Sequence, residues 1–149
     1  MIKIALGICI VMWSIGVGAE PLNVPIGVTE LSENDTKIRL TRTHIPNITA
    51  HRYDIFMLEI LRDNKWQKIP VDNFNTMEGA DCFVQDFDFY TNPFRIVQKR
   101  RAFGEAWMDV QPITITIYEL TDEGKLIKTG EHIYPPACDV RDINTQNLI

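Results

Sequence analysis

Apolar and polar residues alternate with a period of two along several short stretches of the chain. In KIRLTRT (37–43), Ile38 and Leu40 stand between charged or polar residues, which is typical of a half-buried β-strand. The stretch PITITIYEL (112–120) shows the same period, with threonines between the isoleucines at 113, 115 and 117. Both stretches therefore predict strands with one apolar face.

Residues 53–71 contain two apolar runs separated by the polar triplet Asp63-Asn64-Lys65. Such a break between apolar runs predicts a β-hairpin. A helix over 53–62 is the alternative, because several residues there are good helix formers. The polar turn and Trp66 beyond it favour the two strands.

An acidic and aromatic stretch, DCFVQDFDFY (81–90), alternates with the same period. One face would carry Phe83, Gln85, Phe87 and Phe89, and the other Val84, Asp86, Asp88 and Tyr90. Because alternate residues face opposite sides of a sheet, we expect the three phenylalanines to be buried and the two aspartates to reach solvent.

Further strands are expected over 94–101, after the break at 91–93, and over 125–130, after the turn at 122–124. Several short strands with regular turns and no convincing helix predict an all-β fold, either an antiparallel β-sandwich or a strongly bent sheet. By composition, the segment from Glu20 to Thr36 and the residues after Val140 are expected to pack loosely.

The first nineteen residues carry one early charge, Lys3, then an apolar run, then the small residues Val17-Gly18-Ala19. This pattern predicts a secretory signal peptide cleaved after Ala19, which leaves residues 20–149 as a single β-rich domain in the periplasm or outside the cell. A membrane anchor is the alternative, but the apolar run is shorter than the roughly 20 residues that a bilayer requires. The net charge of −5 disfavours a nucleic-acid partner.

Two of the three cysteines, Cys82 and Cys138, remain after cleavage of the signal peptide. An even pair in an exported protein predicts a disulfide bond, here one that joins the C-terminal part of the chain to a central strand. A metal ligand or a nucleophile would need partner residues, and neither a C-x-x-C motif nor a second ligand pair is present. No metal and no cofactor are expected.

Catalytic chemistry has little support in the sequence. Asp86 and Asp88 share a strand face and could serve a cation site or an envelope hydrolase, but a solvated acidic face follows directly from the alternation and is favoured. The part of the chain after the signal peptide has a single serine, Ser32, outside any G-x-S-x-G context. No S-x-x-K motif is present, so a serine β-lactamase or penicillin-binding fold is not expected.

The run QKRR (98–101), together with Arg95 and the following AFGEAW, is the candidate for a partner contact. Cationic and aromatic residues together are typical of interface anchors. The proposed contact residues are Arg95, Lys99, Arg101, Phe103 and Trp107. The alternative is that the basic residues form a charged strand edge and that the aromatic rings belong to the core.

The order of the segments ELSENDTKIRLTRTHIPNITAHRYDIFMLEI, WQKIPV, the acidic and aromatic strand, and ITIYEL resembles the periplasmic carbapenem self-resistance proteins of the CarG-like family. The resemblance covers about residues 30–120 and depends on NITAH (47–51) and on the segment 66–71. ENDTKI stands here where the family has an Asp-Gly-rich turn, so no functional residue is carried over.

The resemblance implies an exported β-sandwich that forms dimers and protects a cell from a carbapenem without hydrolysing it. The sequence therefore leads us to expect a periplasmic protective or immunity-like protein that acts by binding a protein partner or a small ligand in the cell envelope, with a homodimer as one form of the partner. After cleavage of the signal peptide, no membrane span is expected. The alternatives are a structural or assembly accessory of the envelope and the envelope hydrolase named above.

Overall fold

The computed structural model describes residues 19–46, 52–79, 82–102 and 111–149. Two antiparallel sheets form the fold, which confirms the all-β prediction. The first sheet has the order β1-β2-β3-β4, with strands Gly27–Glu33, Thr36–Pro46, Arg52–Arg62 and Lys65–Ile69. The second has the order β5-β6-β7-β8-β9, with strands Met77–Glu78, Phe83–Tyr90, Arg95–Arg101, Ile113–Leu120 and Leu126–Tyr134.

Tight two-residue turns join β1 to β2 and β3 to β4. Asn34 and Asp35 connect β1 to β2 with φ angles of 45° and 65°, and Asp63 and Asn64 connect β3 to β4 with φ angles of 50° and 59°. Asparagine and aspartate tolerate this left-handed conformation, which suits the twist of a hairpin. The predicted hairpin over 53–71 is therefore confirmed, and the helix alternative is wrong.

The main core lies between the two sheets. Ile38 and Leu40 of β2 pair in register with Ile60 and Leu58 of β3, and all four are buried. Four phenylalanines pack against this layer with ring centroids 5.1–6.0 Å apart: Phe56, Phe74, Phe87 and Phe89. Edge-to-face and tilted contacts at such distances are favourable for aromatic rings.

The opposite face of the second sheet is covered as well. Tyr90 and Val97 lie there with the three isoleucines of β8, and the C-terminal segment (135–149) packs over them. Val140 in this segment is completely buried. The expectation that the residues after Val140 pack loosely is therefore wrong, because they form the apolar cover of a sheet with two apolar faces.

Two further expectations also differ from the structure. Part of the segment from Glu20 to Thr36 is strand β1, which pairs with β2 over its whole length. Phe83 is only half-buried and packs against the second cluster rather than beside Phe87 and Phe89. A shift of register in the pairing of β5 with β6 separates Phe83 from the regular alternation of β6.

The predicted disulfide between Cys82 and Cys138 is confirmed, with the two Cα atoms 5.7 Å apart. It joins the chain immediately before β6 to the C-terminal segment. Among the described residues, no helix has both the length and the apolar character needed to cross a bilayer.

Candidate binding cleft

A polar cleft of about 240 Å³ opens at the edge of β6 on which the short strand β5 pairs. Residues 22–24 run along this edge, where the Leu22 amide donates to the Phe89 carbonyl at 2.7 Å. The charged residues of the cleft are Arg42, Asp86 and Arg141, and its remaining lining residues are Leu22, Asn23, Val24, Phe56, Phe87 and Phe89. Charged groups from three separate parts of the chain therefore meet over an aromatic floor.

Arg42 reaches the cleft from the inner face of β2. Its Nε and Nη2 donate to Asp54 Oδ2 at 3.1 and 2.5 Å, and its Nη1 donates to the Val24 carbonyl at 2.8 Å. His44 Nδ1 lies 2.6 Å from the other oxygen of Asp54. Burial opposes ionisation of Asp54, but the hydrogen bonds from His44 and Arg42 outweigh it and hold the pKa of this carboxyl below its ordinary value.

Asp86 enters the cleft from β6 and belongs to a second charged network. Residue Lys99 is only 2% exposed. Its ammonium lies 3.3 Å from Asp86 Oδ2 and 3.0 Å from Asp88 Oδ1. Burial raises the pKa of Asp86 although the Lys99 charge counteracts it. The side chains of Asp86 and Asp88 are only 21% and 19% exposed, so the expected solvated acidic face is not formed.

Arg141 comes from the C-terminal segment and is held in place by two neighbours. Its Nε and Nη2 donate to the Asp139 carboxylate, the shorter of these bonds measuring 2.6 Å, and its guanidinium carbon lies 3.8 Å from the centroid of the Phe83 ring. The hydrogen bond to Asp139 raises the pKa of Arg141. A cation stacked on an aromatic ring in this way is pre-oriented for binding.

A larger cavity of about 320 Å³ lies at the end of β4. Its lining is mainly aliphatic and aromatic, and Lys68 is the one charged residue among the described residues that form it. The polar cleft, with three charged residues, therefore has more groups that can orient a polar ligand.

A search of solved structures gives one informative likeness. The crystal structure of CarG matches with a TM-score of 0.65 and 21% sequence identity, and the match covers 80% of this chain and 88% of the CarG chain. The fold is shared with CarG. This likeness confirms the resemblance to the CarG-like family that the segment order predicted. No family profile matches the chain, and no curated protein matches it in sequence.

The five residues proposed for a partner contact differ in burial, and two of them lie outside the described residues. Lys99 and Arg101 are buried, and Arg101 Nη1 donates to the Cys138 carbonyl at 2.9 Å. Arg95 is partly exposed and pairs with Glu119 at 3.3 Å. Phe103 and Trp107 lie outside the described residues. The contact role of this group stays a prediction.

The carboxylate pair proposed for a hydrolase, Asp86 and Asp88, shares the buried Lys99 ammonium as its counter-ion.

The triplet Lys128-Thr129-Gly130 on β9 has the K-T-G sequence of penicillin-binding folds, but Lys128 pairs with Glu131 on the same strand. Within the described residues, no group of three or more His, Cys, Asp or Glu side chains is arranged to hold a metal ion.

The sequence did not single out Arg42, Asp54 or Arg141. A usable signal exists for the first two, because Arg42 continues the inward-facing positions of Ile38 and Leu40, and a charged residue at an inward position needs a partner. Arg141 carries no such signal, since its position depends on how the C-terminal segment folds back.

Proposed function

We propose that this chain is an exported protective protein of the carbapenem-resistance kind, which acts by binding a ligand or a partner and does not hydrolyse the drug. The observation that carries the proposal is the fold shared with CarG over 80% of the chain. The region that resembles the CarG-like family, residues 30–120, lies largely within the two sheets.

Export is supported by two features of the chain. The N-terminal nineteen residues have the build of a cleavable signal peptide. The disulfide between Cys82 and Cys138 suits an oxidising compartment such as the periplasm. Both features are consistent with a place of action where β-lactams meet the cell wall.

Binding, rather than turnover, is supported by the state of the reactive side chains. Cys82 and Cys138 are oxidised, so neither offers a thiolate. Ser32 lies on strand β1 opposite Lys37, without a histidine in register with it. Asp86 and Asp88 share the Lys99 ammonium. The partner is a small ligand in the polar cleft or a protein of the envelope, including a second copy of this chain.

The proposal is tested by producing the full chain in a carbapenem-sensitive host and measuring survival at increasing drug concentration. In parallel, purified residues 20–149 are incubated with the drug, whose ring absorbance is followed over hours with a β-lactamase as positive control. We expect survival to rise while the drug stays intact.

A matched control is the chain without residues 1–19, produced in a host with an oxidising cytoplasm so that the Cys82–Cys138 bond still forms. This control should fold without protecting the cell if the site of action is the periplasm. Hydrolysis by the pure protein would overturn the binding mechanism. Unchanged sensitivity of cells that export the folded protein would overturn the protective role itself.

A further inference from the structure

We propose that the polar cleft binds a small zwitterionic ligand, whose carboxylate contacts Arg42 and Arg141 and whose ammonium group contacts Asp86. The inference rests on the proposed binding function, which makes a carbapenem with a cationic side chain the first ligand to test. Short peptides have the same two charged groups and are the second source of this chemistry.

The first argument is the bonding capacity that remains in the cleft. A guanidinium has five N–H donors. Arg42 uses three of them on Asp54 and the Val24 carbonyl, and Arg141 uses two on Asp139, which leaves donors on both side chains. A carboxylate offers about four lone-pair positions, and Asp86 uses them on the Lys99 ammonium and on the backbone N–H of Phe87, which leaves capacity for a further donor.

The second argument is the balance of charge around the cleft. Each charged residue that lines the cleft forms an ion pair with an oppositely charged residue: Arg42 pairs with Asp54, Arg141 with Asp139, and Asp86 with Lys99. A simple anion would be attracted by the two arginines but repelled by Asp86 and by Asp54 and Asp139, which pair with the arginines. A ligand with both charges gains from both kinds of group, so a zwitterion fits the cleft better than an anion or a cation alone.

The third argument is the size of the cleft and its floor. Its volume of about 240 Å³ is below the roughly 300–1,000 Å³ of pockets for drug-sized ligands, so it suits a small molecule or one end of a larger one. The floor includes Phe56, Phe87 and Phe89, which offer an apolar surface between the charged groups. Salt bridges from a bound ligand would therefore form beside a surface that excludes water.

The test uses isothermal titration of residues 20–149 with meropenem, with its carboxylate methyl ester, and with its N-acetyl derivative. A second series uses the dipeptide Ala-Ala with the corresponding ester and N-acetyl form. We expect each zwitterion to bind at least about ten-fold more tightly than either blocked form, because each block removes a charge-assisted set of hydrogen bonds.

Two variants assign the contacts. Arg141→Gln should weaken the preference for the acid over its ester, because only Arg42 then contacts the carboxylate, and should keep the preference for the free amine. Asp86→Asn should keep the preference for the acid and abolish the preference for the free amine. Arg62→Gln is the control, because Arg62 does not line the cleft. Circular dichroism checks folding. If Asp86→Asn does not fold, Arg141→Gln still tests the acid contact, because its side chain is 53% exposed.

The inference is overturned if neither meropenem nor Ala-Ala binds the folded protein, if acid and ester bind equally, or if both variants keep both preferences. Binding of Ala-Ala without meropenem would support the zwitterion site and assign it to peptides, against the carbapenem function. Protection of cells by the wild type and both variants alike would remove the cleft from the mechanism and leave the proposed function standing.

Discussion

Thr145 in the C-terminal segment lies with its Oγ1 2.6 Å from Asp88 Oδ2 on β6, where it donates a hydrogen bond. The Tyr90 hydroxyl lies 2.7 Å from the same Oγ1. Because a threonine hydroxyl has one hydrogen and an ionised carboxylate has none, the tyrosine donates to the threonine, which donates to the aspartate. A directed chain of hydrogen bonds thus joins the segment to the sheet that it covers.

Replacement of Thr145 by valine keeps the shape of the side chain and removes this link. Tyr90, which is fully buried, then loses its hydroxyl partner, and Asp88 loses one of its partners but keeps Lys99, so the free energy of unfolding should fall by about 1–3 kcal/mol. Urea denaturation measures the change, and a double-mutant cycle with Tyr90→Phe measures the coupling of the two hydroxyl groups. A Thr145→Val protein as stable as the wild type would contradict the network.

Replacement of both Cys82 and Cys138 by serine should lower the free energy of unfolding by about 4 kcal/mol. The reason is the long loop that the bond closes, with a sequence separation of 56 residues. Urea denaturation of the oxidised, reduced and serine forms gives the value. Thiol titration of denatured, unreduced residues 20–149 should find no free thiol, and two free thiols would refute the bond.

Phe87→Ala should lower the free energy of unfolding by about 3–5 kcal/mol, as large truncations in a core do. The Phe87 ring is 6% exposed and lies 5.1 Å from Phe74 and 5.8 Å from Phe56. Ile133→Ala is the control, because this residue is 72% exposed and its change should stay within about 0.5 kcal/mol. Equal losses for the two variants would show that Phe87 does not form part of the core.

The lowered pKa of Asp54 predicts a dependence of stability on pH. A carboxyl with a depressed pKa in the folded state contributes stability above its unfolded value, near 3.8, and loses it as the pH falls through the folded value. The stability difference between the wild type and Asp54→Asn should therefore be largest above pH 3.8 and shrink below it.

Urea denaturation at a series of pH values from about 6 to about 2 follows this difference. Asp63→Asn, in the exposed turn between β3 and β4, controls for the loss of one carboxyl group. A difference that stays constant down to the lowest pH would mean that the bonds from Arg42 and His44 do not stabilise the ionised form of Asp54.

Much of the fold could be predicted from the period of apolar residues. Strands β2, β6 and β8 fall on stretches that alternate with a period of two, and β3 and β4 fall on the two apolar runs of the predicted hairpin. Strands β7 and β9 follow the predicted breaks, although β9 continues to Tyr134, beyond the expected 125–130. Strand β1 was not predicted, because Val28 and Leu31 are its only large apolar residues and fall on opposite faces of an edge strand. The cover of the second sheet had an overlooked signal, since Ile96 and Val97 are adjacent, apolar and both completely buried.

The candidate cleft was much less accessible to sequence reasoning. Its groups come from β2, from β6 and from the C-terminal segment, and only the folded chain brings Arg42, Asp86 and Arg141 together. Basic residues that looked suitable for a surface contact proved to be internal, because Lys99 is the counter-ion of two carboxylates. A strand with charges on an apparently exposed face can therefore be covered when another part of the chain supplies the opposite charge.

The packing of the C-terminal segment on the second sheet also has a consequence for the nascent chain during synthesis. Ribosomes make proteins from the amino terminus, so the residues of strands β1 to β9 are synthesised before residues 135–149. Until residues 135–149 pack against it, the face formed by Val97 and the isoleucines of β8 is a contiguous apolar surface, which favours aggregation. Residues 135–149 therefore shield this face only after the strands that form it have been synthesised.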